Sequence, residues 1–511
     1  STKRDIRFLI RGLSMEWILQ GFATMLNLQN LLVAFIGCFL GTLVGVLPGL
    51  GPTSAVALLF PFTLQLTASQ IMIGLGGIYY GAMFGGAITA ILLNIPGEVA
   101  AVPTAIEGYP LARQGRGGQT MVICMLSSFT GGLVAMVCLA FFAPLLADLA
   151  LKFGPFEYLA LMLFSLSCVA GLGGGSVLKG FISAFIGLLM ATIGVDINSN
   201  TYRLTFGSKL LLQGFDIVPI VVGLYGIAEV LEGILKMESS YIGKGEKKKF
   251  GSFLPNKREL KLAAPAAGAG AIVGTSIGIL PGITPSVSAF ISYSLAKRFG
   301  KEKEKFGHGA IEGCACAEAS NNATAMAGFI PLMALGIPTG PVLAIVLAAL
   351  IIQGVVPGPL MFSTYIDISA TVIAGFFISN IILLILNIPL SGIWVKIANL
   401  PYKWMAPIIL FLCVIGSLVI RNSIFDLWVM LLFGVFGFVA KKINFPIPPF
   451  VLGFILGNRL ETYFRQTAVL GFDYMLSRPF ALVVVFLACV MVAVFSRVKP
   501  AKAEIKQDKQ A

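Results

Sequence analysis

The chain has 511 residues, of which 57% are hydrophobic and only 12% charged. Its mean hydropathy of +0.92 is too high for a water-soluble globule, so we expect an integral membrane protein. A net charge of +13 would suggest a nucleic-acid partner if the protein were soluble. Here the positive charge is concentrated in four short stretches beside apolar segments, at 1–12, 236–261, 297–305 and 497–511. That distribution excludes a nucleic-acid role.

The basic stretches predict the orientation of the chain. Short basic loops beside apolar spans mark the cytoplasmic face of a membrane protein. We therefore expect both termini and the loops 236–261 and 297–305 to lie on the cytoplasmic side. The basic N-terminus runs into apolar chain without a small-residue cleavage site, which predicts a signal anchor that is retained.

The apolar segments predict several membrane passages. No charged residue occurs in the 81 residues between Glu16 and Glu98, which leaves room for roughly three passages of about 20 residues. Apolar segments continue downstream and include 308–335 and 447–460. The 58 Gly and 26 Pro are too many for straight helices. Where such residues interrupt a helix, backbone groups lose their hydrogen bonds, and lipid cannot replace them. The sequence therefore predicts an all-α polytopic membrane protein whose broken helices line a buried cavity.

Two segments are copies of each other. Residues 41–56 (GTLVGVLPGLGPTSAV) and 274–289 (GTSIGILPGITPSVSA) are identical at seven of sixteen positions. Downstream of them, in the same order, Asn94-Ile95-Pro96-Gly97 resembles Gly336-Ile337-Pro338-Thr339. This ordered pair of matches favours internal duplication. The predicted halves are 1–235 and 262–496, joined by the basic loop 236–261 and followed by a tail at 497–511.

Each copy predicts a re-entrant hairpin, at about 30–64 and 262–296. The second arms, 53–64 and 286–296, cover only about half of a 30 Å hydrocarbon core. Basic loops flank the second hairpin and uncharged segments flank the first, so we expect them to enter from opposite faces, as inverted-topology repeats do. Alternatively, the first arms, 30–47 and 262–280, span fully and only the second arms are re-entrant.

The hairpin tips are candidate binding sites. The first arm of each ends in Leu-Pro-Gly, which leaves carbonyls able to coordinate a cation at Pro48, Gly49, Pro281 and Gly282. The second arm begins with Pro beside a hydroxyl, which leaves amides able to hold a carboxylate. The predicted substrate-binding residues are Gly51, Pro52, Thr53, Ser54, Thr284, Pro285 and Ser286. The alternative is a Pro/Gly kink that only shapes helix packing.

A polar run interrupts the apolar segment 308–335. Asn321, Asn322 and Thr324 are predicted to coordinate the ion near the second tip, and Asn322 also to contact substrate, since amides at membrane depth are costly unless bonded. The alternative is that they bond only to backbone freed by neighbouring Gly and Pro. Further helix breaks lining the cavity are predicted at Asn94, Pro96, Gly97, Gly336 and Pro338, with Thr339 contacting substrate.

Absent motifs narrow the function. The sequence has no G-x-x-x-x-G-K-[ST] and no G-x-S-x-G, so we expect no enzyme activity and no organic cofactor. The eight cysteines lack the spacing of a metal site. Neither hairpin contains Lys or Arg, so an anion there must be balanced by helix ends and co-bound cations. This favours ion-coupled transport over an anion channel. Carbonyl, hydroxyl and amide oxygens suit Na⁺, whereas proton coupling would need a residue such as Glu318.

The motifs together resemble those of a known family. The segments GTLVGVLPGLGPTSAVALL, GAMFGGAITAILLNIPGE, EGYPLARQG, GILPGITPS and EASNNATAMAGFIPLMALGIP are similar to the large membrane subunit of tripartite tricarboxylate transporters, the TctA family. The resemblance extends over most of residues 15–490. It implies a bacterial cytoplasmic (inner) membrane, a small membrane subunit, a periplasmic substrate-binding protein, and uptake of di- or tricarboxylates driven by a cation gradient. Ala100-Ala101-Val102 and Thr339-Gly340 depart from the family's pattern, which leaves the carried acid open.

Overall fold

The computed structural model describes residues 16–47, 50–172, 176–196, 199–237, 253–398, 400, 402–419 and 421–497. Nearly all of this is helical, and two short strands, β1 (Gly194–Val195) and β2 (Tyr202–Arg203), pair antiparallel. The helices are α1 (Glu16–Met25), α2 (Leu28–Val46), α3 (Pro52–Thr63), α4 (Ala68–Leu93), α5 (Val102–Arg113), α6 (Gly117–Ala150), α7 (Pro155–Leu172), α8 (Val177–Ala191), α9 (Ile217–Val221), α10 (Ala228–Met237), α11 (Lys257–Gly278), α12 (Pro285–Phe299), α13 (Ile311–Ala327), α14 (Phe329–Leu335), α15 (Pro341–Ile352), α16 (Ile366–Asn387), α17 (Ser391–Ala398), α18 (Tyr402–Leu418), α19 (Ile424–Lys442), α20 (Ile447–Leu476) and α21 (Pro479–Arg497). The predicted all-α fold is confirmed.

Eight helical runs in the described part of the chain are long and apolar enough to cross a membrane. They are α2, α4, α6, the run Ile217–Leu235, α11, α16, α19 and α21. In the run Ile217–Leu235 a π-helical segment, Val222–Ile227, joins α9 to α10 without a break. These spans confirm a polytopic membrane protein.

The arms of the two predicted hairpins differ in length. The first arms, α2 and α11, have 19 and 22 residues, each enough to cross a hydrocarbon core. The second arms, α3 and α12, have only 12 and 15 residues. These lengths agree with the alternative in which only the second arms are re-entrant. Re-entrance and inverted duplication themselves stay predictions from the sequence.

One end of the molecule carries the basic loops, and we call it the basic end. Glu302 pairs with Arg258 at 2.6 Å and with Lys305 at 2.9 Å, and Arg116 pairs with Glu259. Lys305 and Arg258 lower the pKa of the Glu302 carboxyl, because both cations favour its charged form. The first turn of α11 and the loop after α12 therefore lie on the same side, as predicted.

The other end carries the strands β1 and β2, and we call it the strand end. Ion pairs here join Arg203 to Glu461, Arg465 to Asp196, and Arg421 to Asp216. Asp216 caps the start of α9, and the helical run that follows ends at Met237, where the chain enters the basic loop 236–261. Helix α6 connects the two ends: Arg116, just before it, pairs with Glu259 at the basic end, and its last residue, Ala150, accepts a hydrogen bond from Tyr158, whose ring stacks on Tyr463 of α20. Because α6 is long enough to span, the strand end and the basic end are opposite ends of the molecule.

The short helices α3 and α12 lead to opposite ends. α12 ends at Phe299, immediately before the paired loop of the basic end. α3 ends at Thr63, and the carbonyl of Leu64 accepts a hydrogen bond of 2.5 Å from Gln353, the residue after α15. The last turn of α15 lies with Asp216 at the strand end. The two predicted second arms thus diverge in the structure.

The bounds of two predicted apolar segments differ from those of the helices that contain them. The segment 308–335 is not one helix, because it breaks at Gly328 between α13 and α14. Pro331 has no N–H to donate to the preceding turn, so the helical ladder is interrupted there. The helix that contains the segment 447–460 is longer than the segment: α20 continues past Leu460 and, after a kink at Gly471 (φ 82°, ψ 176°), ends at Leu476. Its charged residues do not end the helix, since Arg465 pairs with Glu461 one turn away at 2.5 Å.

The core is built around α4, whose apolar span is entirely buried in protein. Its closest partner is α2, and glycines let the two backbones touch. A Cβ added at Gly41 would lie 2.3 Å from the carbonyl oxygen of Ile78, and one at Gly81 would lie 2.6 Å from that of Cys38. Such small-residue contacts replace the hydrophobic driving force that lipid does not supply. Helix α4 is therefore held by shape complementarity along its length.

We predict that Gly41→Ala destabilises the protein by about 1–3 kcal/mol, the usual cost of overpacking a filled contact. The added methyl group would overlap the Ile78 carbonyl oxygen and force α2 and α4 apart. Thermal unfolding of the purified protein in detergent measures the effect. Gly268→Ala in α11 is the matched control, because no atom lies within 4 Å of its added Cβ. Equal stability of the two variants would contradict the close packing of α2 on α4.

Candidate functional site

A cavity of about 360 Å³, which we call the central cavity, lies between the starts of α3 and α12, where the predicted hairpin tips are expected to meet. Thr53 of the first tip and Ser286 of the second, predicted to share one cavity, both line it. The lining residues are Gly51, Pro52, Thr53, Tyr79, Met83, Gly97, Glu98, Val99, Ile283, Thr284, Pro285, Ser286, Thr324, Thr339, Gly340, Pro341, Val342 and Leu343. Both halves of the sequence therefore contribute to one wall.

Three helices begin at the central cavity. α3, α12 and α15 each have a proline at the first helical position, preceded by Gly51, Thr284 and Gly340 respectively. Proline is favoured there because its ring fixes the helical φ and its missing N–H removes an unpaired donor. None of the three preceding residues caps its helix with a side-chain hydrogen bond. All three N-termini are thus open toward the cavity.

Open N-termini leave unpaired amides. The first helical hydrogen bonds are donated by Ala55 to Gly51, by Ser288 to Thr284, and by Ala344 to Gly340. The amides between each proline and these donors have no partner within their own helix. Together with the positive ends of three helix dipoles, they form a surface suited to a carboxylate or another anion.

Glu98 places a carboxyl group on the same wall. Among the described residues that line the cavity it is the only acidic or basic one. Its carboxylate accepts a hydrogen bond of 3.4 Å from the side-chain amide of Asn321. The sequence analysis missed Glu98 as a site residue, although it is the first charged residue after 81 uncharged ones and follows a predicted helix break. Its place in the sequence could therefore have identified Glu98 as a candidate site residue.

A cluster of hydroxyl groups adjoins the cavity at Thr324. The Thr324 hydroxyl donates to the Gly274 carbonyl at 3.0 Å and lies 2.5 Å from Ser288 Oγ. Ser288 Oγ lies in turn 2.6 Å from Ser320 Oγ. These groups are buried and supply only neutral oxygens. Neutral oxygens are among the ligands that hard cations accept.

The predicted site residues fall into three groups. Those that line the central cavity are Gly51, Pro52, Thr53, Gly97, Thr284, Pro285, Ser286, Thr324 and Thr339. Those described but away from its wall are Ser54, Asn94, Pro96, Pro281, Gly282, Asn321, Asn322, Gly336 and Pro338. Pro48 and Gly49 lie outside the described residues. Asn322 donates to the Glu318 carbonyl of its own helix at 3.0 Å, and Asn321 reaches the cavity only through Glu98.

The two predicted helix breaks share one backbone conformation. Asn94 ends α4 with φ 59° and ψ 28°, and Gly336 ends α14 with φ 70° and ψ 27°. Both are left-handed C-caps, in which Gly and Asn are the favoured residues. Each break then returns the chain to the cavity, at Gly97 in one case and Thr339 in the other.

Two carboxylates outside the cavity join the halves of the chain. Glu107 in α5 is fully buried and accepts hydrogen bonds from the amides of Gly307, Gly309 and Ala310, between 2.6 and 3.0 Å. It thereby provides a hydrogen-bond acceptor for the backbone amides that precede α13. Glu318 in α13 accepts from the hydroxyl of Thr104 in α5 at 2.5 Å. Helix α5 of the first half is thus hydrogen-bonded both to the segment just before α13 and to α13 itself.

A polytopic helical protein with a polar cavity at the meeting point of broken helices has the architecture of a membrane transporter. The family follows from the sequence: residues 31–452 match the model of the tripartite tricarboxylate transporter TctA family. The chain belongs to this family, the membrane subunit of tripartite tricarboxylate transporters.

Two proteins of Agrobacterium vitis are similar to the chain. The first, described as an uncharacterized 52.8 kDa protein in the TAR-I ttuC' 3'region, is 40% identical over 490 residues, 95% of this chain and 97% of that protein. The second, described as an uncharacterized protein in the TAR-II ttuC' 3'region, is 40% identical over 184 residues, 36% of this chain and 76% of that protein. No solved structure matches the chain.

We predict that Gly282→Val abolishes transport. Gly282 has φ +84°, where a β-branched residue is strained, and an added Cβ would lie 2.8 Å from the backbone of Cys168. Its amide also donates to the Thr339 carbonyl at 2.8 Å, so displacing it distorts the cavity wall. Substrate uptake by membrane vesicles, normalised to the inserted protein, measures the effect. Gly392→Val, whose added Cβ meets nothing within 4 Å, is the control, and wild-type uptake in both variants would contradict the prediction.

Proposed function

We propose that this chain is the translocating subunit of a secondary transporter that takes up di- or tricarboxylates together with Na⁺ across a bacterial inner membrane. Its partners would be the small membrane subunit and the periplasmic substrate-binding protein that family membership implies. The basic end would face the cytoplasm and the strand end the periplasm, in accord with the basic loops. The substrate would occupy the central cavity.

The open helix N-termini support an anionic substrate. A helix N-terminus stabilises a nearby anion by about 0.3–1 kcal/mol at an exposed site, and by up to about 2 kcal/mol where it is partly buried. Three such termini converge here, and each presents backbone amides that can donate to carboxylate oxygens. A substrate with two or three carboxylates can engage more than one terminus at once. The lining hydroxyls of Thr53, Ser286 and Thr339 add further donors.

Glu98 is the observation that carries the coupling to a cation. Its carboxylate lies on the wall that would receive an anionic substrate, and no lysine or arginine is among the described lining residues. Two anions in a cavity of low dielectric repel strongly unless a cation lies between them. A Na⁺ ion that bridges Glu98 and the substrate, assisted by oxygens near Thr324, removes that repulsion. Substrate and cation would then bind together.

Proton coupling is the second candidate, and Glu318 is the residue that favours it. Glu318 is fully buried and accepts hydrogen bonds from Thr104 at 2.5 Å and Ser128 at 3.2 Å. A buried carboxyl group can carry a proton between two states of a transporter. In this version the proton, and not Na⁺, would compensate the negative charge of the substrate.

Proteoliposomes that contain the chain and its two partners test the proposal. Radiolabelled citrate, malate and succinate are the probes, and a Na⁺ gradient or a pH gradient is imposed separately. We expect saturable accumulation of at least one probe above its external concentration, driven by the Na⁺ gradient. Equilibration without accumulation would identify a channel. Accumulation that follows only the pH gradient and is lost in Glu318→Gln would assign coupling to a proton.

We further predict that Glu98→Gln weakens Na⁺ activation of uptake at least about tenfold. The substitution keeps the size of the side chain and removes the charge that pairs with the cation, and a contact to a charged group typically contributes about 1.5–3 kcal/mol. The Na⁺ concentration for half-maximal uptake measures the effect. Glu304→Gln is the control, because Glu304 is exposed in the basic loop. An unchanged Na⁺ requirement in Glu98→Gln would remove this residue from the cation site.

A further inference from the structure

Arg459 lies in α20 near the helix break that leads to the central cavity. A Cβ added at Gly336 would lie 3.2 Å from Arg459 Nη1 and 2.5 Å from the carbonyl oxygen of Pro357. The side chain is only partly exposed. Its guanidinium therefore occupies the space beside the left-handed turn that ends α14.

Arg459 differs from the other arginines of this region in having no carboxylate partner among the described residues. Each of the others forms an ion pair: Arg203 with Glu461, Arg421 with Asp216, Arg465 with Asp196, and Arg478 with Glu157. A partly buried charge is costly when it is unpaired, and its field is less screened than that of an exposed one. Arg459 is thus a positive charge available to an anion from outside the chain.

The position of Arg459 relates it to the substrate path. Gly336 precedes the cavity residue Thr339 by three positions, and three residues of chain span at most about 11 Å. The guanidinium therefore lies within roughly 15 Å of the wall at Thr339. That distance is close enough for electrostatic attraction where water is scarce and screening is weak.

A second cavity of about 680 Å³ opens at the strand end. Helix α15 joins the two cavities: Pro341 and Val342 at its start line the central cavity, and Ile351 and Ile352 at its end line the second. Asn458, the residue before Arg459, also lines the second cavity. The only charged lining residues described there are Asp216 and Arg421, which pair with each other at 3.4 Å. Arg459 thus follows a lining residue of an outer cavity whose described charges pair with each other, and its guanidinium lies beside the helix break that leads to the central cavity.

We propose that Arg459 is a positioning residue that attracts a carboxylate group arriving through the second cavity and orients it toward the open N-termini of the central cavity. This inference rests on the proposed function, since it assigns a residue to the path of the same anionic substrate. A guanidinium suits the task, because its planar fork can hold both oxygens of a carboxylate. The unpaired charge of Arg459 costs free energy, and this cost is offset only while the substrate is bound beside it or is passing.

Initial-rate uptake of radiolabelled citrate, malate or succinate, whichever the wild type transports fastest, tests the proposal. Arg459→Gln should raise the KM about tenfold or more, as expected for loss of a charged hydrogen bond, with kcat changed less than about threefold. Lys209→Gln is the matched control, because it removes a positive charge from an exposed position of the strand end. A KM within twofold of both wild type and control would overturn the proposal.

Arg459→His gives a second test that a purely structural role would not satisfy. The imidazole is charged at pH 5.5 and largely neutral at pH 8, given an ordinary pKa near 6.5. The KM of this variant, divided by that of wild type at each pH, should be at least about fivefold lower at pH 5.5 than at pH 8. A ratio that does not change with pH would mean that Arg459 only stabilises the C-terminus of α14, and it would overturn the proposal. This test stands even if Arg459→Gln fails to fold.

The two proposals fail in different ways. If wild-type protein accumulates none of the three probes, the proposed function fails. If wild type accumulates a probe and the Arg459 variants match Lys209→Gln at both pH values, only the role of Arg459 fails.

Discussion

A peptide group in the hydrocarbon core must find its hydrogen-bond partner within the protein, because lipid offers none. The architecture depends on this constraint. A helix that begins or ends at membrane depth exposes amides or carbonyls, so it can be placed only where protein surrounds it. Here the fully buried helix α4, which packs against α2 through glycines, is part of the protein that surrounds these helix ends. The open starts of α3, α12 and α15 are then permitted, and they face one cavity.

The same constraint gives the cavity its electrostatic character. Three helix starts provide partial positive charge without any basic side chain among the described lining residues, and Glu98 provides a carboxyl group. A lysine or arginine in the wall itself would bind a carboxylate tightly at all times, whereas helix dipoles alone bind it weakly and need a mobile cation as well. The arrangement suits a protein that must bind its substrate on one side and release it on the other. The cavity chemistry thus supports the anionic substrate of the proposed function.

Much of this could be predicted from residues that act locally. Pro52 and Pro285 marked helix starts, Gly282 marked a left-handed turn, and all three are found in those conformations. Prediction was less complete where distant contacts decide the outcome. Asn322 is not on the cavity wall, its side-chain nitrogen donates to its own helix, and its role in binding stays a prediction, since a position along the sequence does not determine which face of a buried helix meets the cavity. Glu98 was missed because its neighbours Tyr79, Thr284 and Thr339 come from distant parts of the chain.

The bonds between α5 and α13 bear on how such a protein can change shape. Glu107 accepts three backbone amides ahead of α13, and Thr104 donates to Glu318 within it, so the two helices are fastened across the two halves of the sequence. Parting them would leave a buried carboxylate without donors, at a cost of several kcal/mol. Any rigid body that includes α5 therefore also includes α13, and its boundary does not coincide with the boundary between the sequence halves.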